Sequence, residues 1–238
     1  MSAAFSALMR AVFPPLCVFC GDLADENGIF CPHCTMRWEN ETHLLCPVCG
    51  KSEMLCRCVP AGAVGAVSSA YRLAPYYPGR RTAAAALIYA LKDRGERRAV
   101  DYAARAIAHQ LISDGVGSDI IVTNAPRRAD KIRSRGFDQS ELLARAAAKL
   151  IGAKYVRTMK SSAKTDQKGL SAAERVKNAE DSYSLTASAR GKIAGRDILL
   201  VDDILTSGAT TRACAGILYA AGARDIRGVY IAVSSGEG

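Results

Sequence analysis

The sequence predicts an α/β protein, a parallel sheet flanked by helices, preceded by a small cysteine-rich module. Three observations carry that expectation. Eight of the nine cysteines fall between Cys17 and Cys58, and only Cys214 lies elsewhere. Beyond residue 60, short apolar runs alternate with Ala- and Leu-rich stretches of helical spacing, the order that builds parallel sheets with right-handed crossovers. One apolar run, 198-ILLV-201, ends in two adjacent acids, Asp202 and Asp203, then a turn of small hydroxyl residues and another helical stretch.

The 238 residues suit one large domain or a standard domain with a small appendage, and 49% hydrophobic residues suffice for a core. No apolar run approaches the roughly 18 residues needed to span a bilayer, so no membrane insertion is expected. The opening 1-MSAAFSALMRAVFPPLC-17 has no positive charge ahead of its apolar part and no A-x-A site behind it. A short amphipathic helix is expected there rather than a secretory signal, and a cytoplasmic location with it. Charge is segregated. Residues 1–60 carry 4 Lys/Arg against 6 Asp/Glu, net −2, and the remainder carries 28 against 17, net +11. Two modules are expected, 1–60 and 61–238, meeting near 59-VPAGAVG-65.

In the first module the cysteines pair as Cys17-x-x-Cys20, Cys31-x-x-Cys34, Cys46-x-x-Cys49 and Cys56-x-Cys58. A two-residue gap lets both thiolates reach one ion, and four thiolates complete a tetrahedral zinc site. Gly21 and Gly50 allow the tight turn behind each knuckle. Two Zn2+ sites are available, by sequential or by interleaved pairing. A disulfide framework would need an oxidising compartment, for which no export signal speaks. Four thiolates leave no open position for water, so the sites are structural, and zinc supplies on the order of 10 kcal/mol per site toward folding. His33 and His43 stand among complete ligand sets and read as surface residues.

The second module opens with a strand over 64-VGAVSSAYRL-73. A helix follows from Thr82 to Gly95, then a second over 99-AVDYAARAIAHQLI-112, where His109 reads as an ordinary helix residue. The run 119-DIIVTNAP-126 reads as a buried strand and 138-DQSELLARAAAKLIG-152 as a helix ending at Gly152. A polar loop is expected over 157–169, and Ser171-x-x-Glu174 is a capping-box signature opening a short helix. Then come a strand over 198–201, a helix over 209–222 and a strand over 226–233. Cys214, on that last helix, reads as a small buried residue.

The acid pair therefore stands at the carboxyl end of a core strand, before a helix N-terminus, where open α/β sheets bind ligands. Adjacent carboxylates repel, so local stability offers no reason for them. A ligand bearing hydroxyls and a phosphate does. Asp202 and Asp203 can accept hydrogen bonds from vicinal ribose hydroxyls and help hold Mg2+, directly or through water. Thr206, Ser207, Gly208, Ala209 and Thr210 can offer N–H groups and hydroxyls to a phosphate, aided by the helix dipole. No G-x-x-x-x-G-K-[ST] occurs, which excludes a Walker A loop.

The pattern Asp202-Asp203-Ile204-x-Thr206-Ser207-Gly208-x-Thr210 resembles the phosphoribosyl pyrophosphate (PRPP) signature of type I phosphoribosyltransferases. More of the chain resembles the ComF family of competence proteins. The matching pieces are the cysteine module, 90-ALKDRGE-96, 133-RSRGFDQSELLA-144, the run from Thr165 through Gln167, Leu170, Arg175 and Asn178, and the loop itself, spanning about residues 10 to 234. The resemblance implies a double zinc ribbon joined to a type I phosphoribosyltransferase-like parallel sheet, and binding of PRPP or a related phosphosugar with Mg2+. It also implies a role in DNA uptake or processing beside a helicase-type competence partner. Two positions depart from the pattern. The family's Val-Pro-Val-Pro strand end stands here as 123-TNAP-126, and its Arg-Gly-Phe-Asn-Gln carries Asp138 in place of Asn.

In an active phosphoribosyltransferase a nucleophile attacks C1′ and pyrophosphate leaves through an oxocarbenium-like transition state. Catalysis there rests on positioning and on neutralising the leaving group. Arg127 and Arg128 follow a core strand end, where the resemblance puts the pyrophosphate loop, and Lys92 and Arg94 are further candidates. Some purine enzymes of this fold carry an additional acid where this chain has Thr206. No general base or nucleobase pocket is readable, so catalytic residues and acceptor stay unassigned. Arg127, Arg128, Lys131, Arg133 and Arg135, with Arg80, Arg81, Arg94, Arg97 and Arg98, form clusters suited to salt-sensitive binding of a nucleic-acid backbone, single-stranded DNA included. Stacking aromatics are sparse, Phe137 and Tyr76-Tyr77 being the nearest. Two functions are compatible: a non-catalytic DNA-processing protein with a phosphosugar pocket, and an active transferase of nucleotide metabolism.

Overall fold

The computed structural model describes residues 12–25, 28–161 and 182–234. The expected N-terminal helix falls mostly outside them. The run from Thr165 to Asn178 and the Ser171-x-x-Glu174 signature lie wholly outside.

In the cysteine module, helix α1 (Pro32–Thr42) starts from Cys31 at its N-cap, with a proline in the first turn where the missing N–H costs nothing. It buries Cys34 and Trp38, one turn apart on a single face. The cysteine pattern masks this helix in the sequence, because ligand spacing rather than apolar periodicity dominates there.

The main sheet runs β1 (Ser69–Tyr71), β9 (Asp225–Val229), β7 (Asp197–Val201), β3 (Ile121–Asn124) and β4 (Lys154–Tyr155), all parallel. Helices α2 (Ala83–Arg94), α3 (Arg97–Ser113), α5 (Gln139–Leu150) and α7 (Ala209–Ala220) stand where apolar spacing puts them. Thr82 caps α2 by accepting from the Ala85 N–H, and Asp138 caps α5 by accepting from those of Ser140 and Glu141. Alternate strand residues face opposite layers. Val122, Leu199, Val201 and Val229 pack with α2, α3 and α5, whereas Ile121, Ile198, Leu200 and Ile226 pack with α7. Phe30 and Trp38 stack at 5.7 Å, and Tyr102 of α3 meets both edge-on, so the cysteine module shares the first of these cores.

Two expectations need correction. The strand expected over 64–73 shrinks to β1, after a 3-10 turn at Ala61–Ala63. The strand expected over 226–233 is two strands, β9 and β10 (Ala232–Ser234), in different sheets. The cause is a shared break. β1, β7 and β9 each stop, skip two residues, and resume as β2 (Ala74–Tyr76), β8 (Ile204–Leu205) and β10, which form a second parallel sheet ordered β2-β10-β8. The skipped pairs are Arg72-Leu73, Asp202-Asp203 and Tyr230-Ile231. In the break the Asp203 carbonyl accepts from the N–H groups of Ile231 and Ala232, and the Asp202 N–H donates to Val229 O. Buried backbone groups are thus paired although the ladder is interrupted. Helix α4 (Ala129–Arg135), the hairpin of β5 (Met159–Ser161) with β6 (Tyr183–Leu185), and the single turn α6 (Arg190–Ile193) were not anticipated. They are too short to show a period.

Candidate functional site

The eight clustered cysteines gather into two groups, Cys17, Cys20, Cys31 and Cys34, and Cys46, Cys49, Cys56 and Cys58. Pairing is sequential, which resolves the alternative left open by spacing. Within each group the sulfurs lie within 4.8 Å of one another, close to the ~3.8 Å separation that tetrahedral Zn–S bonds of about 2.3 Å impose. The Gly21 N–H donates to Cys17 O and the Gly50 N–H to Cys46 O, both glycines with positive φ, closing the two knuckles alike. Four thiolates per group fit structural Zn2+. His33 and His43 belong to neither group, and the His43 ring instead meets Glu39 O at 2.7 Å.

The second group is tied to the sheet by two arginines. Arg72, in the β1–β2 break and only 5% exposed, donates to Cys56 Sγ at 2.8 Å and to Cys58 O, and pairs with Glu53. Arg57 reaches Asp114 at 2.5 Å and lies 4.4 Å above the Tyr71 ring. Neither arginine stands out in the sequence, since nothing local marks a cation destined for burial.

The acid pair occupies the corresponding break in the middle strand of the second sheet's companion, between β7 and β8. Asp202 lines a pocket with Ile204, Leu205 and the turn Thr206–Thr211, and its Oδ1 accepts from Ser140 Oγ at 3.1 Å and the Asp203 N–H at 2.9 Å. Burial, then the neighbouring Asp203 charge, pushes the Asp202 carboxyl up to about 8. Asp203 is 7% exposed, with Oδ2 held by Gln139 Nε2 at 2.8 Å and Lys92 Nζ at 3.1 Å, and Oδ1 by the Ile204 N–H. Both carboxylates are thus held at the start of α5, Asp202 by Ser140 and Asp203 by Gln139.

The turn reaches α7 through Gly208, its N-cap, at φ 74°. A side chain there is impossible, because a Cβ would sit 1.8 Å from Gly62 O. The 3-10 turn at Ala61–Ala63 thus crosses directly behind the loop, and Arg212 fastens the crossing by donating to both Gly62 O and Ser207 O. Having no side chain, Gly208 offers the helix start no cap; the Ala209 N–H donates to Ser207 Oγ at 3.5 Å, and the N–H groups of Thr210 and Thr211 have no intrahelical acceptor. They border a pocket of about 30 Å³ with Thr206 and Ser207 exposed at its rim, room for roughly two waters. Strand β6, which has no sequence signal, packs against α7.

Arg127 and Arg128 diverge. Arg127 is half-buried, its N–H donates to Asp138 Oδ2 and its guanidinium to Gln139 Oε1, so Gln139 bridges it to Asp203. Burial, then the Arg135 charge, lowers its pKa. Arg128 pairs with Asp130. Arg94 lies over the Tyr89 ring rather than at the acids. His109 is exposed on α3, and Cys214 is fully buried on α7, where burial pushes its thiol up. The two departures from the ComF pattern touch each other: Asn124 Nδ2 donates to Asp138 Oδ2 at 3.3 Å, while Asn124 Oδ1 accepts from Tyr155. Asp138 receives four donors in all, which a carboxylate can accept and an amide cannot.

Fold and site define a parallel α/β protein with an acid pair and an anion-ready helix start at one strand end, and paired four-cysteine groups in front. Residues 8–64 match the family model described as a double zinc ribbon domain. No curated protein matches the chain. Similar solved structures include a hypoxanthine phosphoribosyltransferase from Staphylococcus aureus, 13% identical over 58% of this chain and 67% of that one, TM-score 0.38. A purine phosphoribosyltransferase from Pyrococcus horikoshii is 16% identical over 57% and 82%, TM-score 0.36. A phosphoribosylpyrophosphate synthetase from Mycobacterium smegmatis is 14% identical over 57% of this chain and 33% of its own, TM-score 0.34. A zinc ribbon ahead of a parallel α/β sheet is the architecture the ComF resemblance implies. Among the described residues no helix is long and apolar enough to cross a membrane.

Proposed function

We propose that the protein binds a 5-phosphorylated pentose, PRPP or a close relative, in the pocket between Asp202 and Thr211. One observation carries the reading: the first turn of α7 borders a small pocket that an acid, Asp202, also lines. The 5-phosphate would take the helix start, the hydroxyls of Thr206, Ser207 and Thr210 would complete its shell, and Asp202 would accept from a sugar hydroxyl. Mg2+ would enter on the ligand's own pyrophosphate, as this ion commonly does, with Arg127 facing the same charge. The ComF resemblance extends the reading to DNA uptake or processing beside a helicase-type partner. Its electrostatic support is the net +11 of residues 61–238, with Lys131 and Arg133 exposed on α4.

Calorimetric titration with PRPP and Mg2+ tests the pocket, with Asp202→Asn/Asp203→Asn as the control. Binding is expected for the wild type and lost in the double variant. An absence of heat with the wild type overturns the reading. Asp202 accepts hydrogen bonds fully only when ionised, so affinity is expected to weaken as pH falls below about 8. Release of pyrophosphate in the presence of a base or amine would make the protein a transferase of nucleotide metabolism. Binding without release favours the non-catalytic reading.

A further inference from the structure

Two stretches that match the ComF pattern, 90-ALKDRGE-96 and 133-RSRGFDQ-139, lock together beside the acid pair. Arg135 donates to Lys92 O at 3.0 Å and pairs with Asp93 at 2.7 Å. The Phe137 ring lies so close to Gly95 that a Cβ there would come within 2.7 Å of it. The far end of α2 is held as well, since the two oxygens of Glu41, on α1, accept from the Ala83 and Ala84 N–H groups at 2.7 and 2.8 Å. With its helix fastened at both ends, Lys92 has a set aim. Its ammonium meets the Asp203 oxygen that Gln139 also holds, while the other oxygen is taken by the Ile204 N–H.

Two adjacent carboxylates are a natural seat for a hard dication. Here a single positive charge already stands at one of them, on a side chain that reaches in from the solvent side at 31% exposure to an acid at 10%. A dication at Asp203 would have to expel that ammonium from its paired position and repel it thereafter. We infer that Lys92 is a built-in counter-cation that keeps divalent ions off the acid pair in the free protein. Metal then reaches the site only on a ligand's phosphates. The inference deepens the phosphosugar reading and rests on it for what the pocket serves.

The test uses zinc-loaded full-length protein and Mn2+, followed by electron paramagnetic resonance. Wild type and Lys92→Arg should take up no Mn2+ at the acid pair. Lys92→Gln and Lys92→Met should each gain a Mn2+ site, tightened by at least about tenfold over wild type, which adding Asp203→Asn removes. Thermal melts confirm that each variant is folded. Wild-type uptake of Mn2+ that Asp203→Asn abolishes would overturn the inference. So would folded Lys92→Gln and Lys92→Met proteins that bind no more Mn2+ than wild type. Ribose 5-phosphate, titrated into the zinc-loaded protein with no Mg2+ or Mn2+ added, separates this from the underlying reading. If it fails to bind while the Mn2+ pattern holds, the phosphosugar pocket falls and the assignment of Lys92 stands.

Discussion

Asp138 shows how one residue's chemistry can be decided by what surrounds it. Its carboxylate caps α5 and also receives the Arg127 N–H and the Asn124 amide, four donors and no acceptor. Burial raises its pKa, so the charge is held at some cost, and the donors offset it. Asn at this position would turn an NH2 group toward donors. Asp138→Asn is therefore expected to destabilise by about 1 to 3 kcal/mol in urea melts. Combined with Asn124→Val, the loss should be non-additive by more than about 0.5 kcal/mol, and strict additivity would deny the coupling. Read along the chain, Asn124 and Asp138 are two unrelated departures from a pattern. Their contact is invisible there, because it joins residues from the end of one strand and the start of a helix.

At the scale of elements, the start of α7 depends on a crossing. The turn before it is legible in sequence as small, hydroxyl-rich and Gly-containing, and the strand–turn–helix order follows from β7 and α7. Its support is not legible. Gly62 sits far upstream in 59-VPAGAVG-65, where the two modules are expected to meet, yet its carbonyl occupies the space where a Gly208 side chain would be. Gly208→Ala is expected to cost more than about 1 kcal/mol, from the positive φ alone, and to weaken ribose 5-phosphate binding further by forcing the crossing apart. Calorimetry against a melting curve separates the two effects; unchanged affinity in a folded variant would show that the crossing is irrelevant to the loop. The breaks after β1, β7 and β9 belong to the same scale. An apolar run such as 226-IRGVYIAV-233 reads as one strand because a two-residue offset leaves no mark on composition.

Across the whole molecule, the second four-cysteine group and the phosphate-type turn are mechanically connected. Cys58 is followed within a few residues by the 3-10 turn that crosses behind Gly208, and Arg72 pins Cys56 to the strand break next to that of Tyr230-Ile231. Removal of zinc from this group is expected to raise amide hydrogen exchange over residues 206–211. Disruption of the first group by Cys34→Ser should instead loosen α1 and the Phe30–Trp38–Tyr102 cluster. Equal exchange at 206–211 with and without zinc in the second group would rule out the connection. The chain by itself determined the two metal groups, the parallel α/β class, four of the longer helices and the position of the acid pair, because ligand spacing, apolar period and turn chemistry are properties of neighbouring residues. Only the tertiary structure decided that Ser140 meets Asp202, that Lys92 and Gln139 claim Asp203, that a distant glycine braces the loop, and that a buried arginine joins zinc group to sheet. Those are contacts between residues far apart in sequence, and their energies come from burial and charge pairing that exist only once the chain has closed on itself.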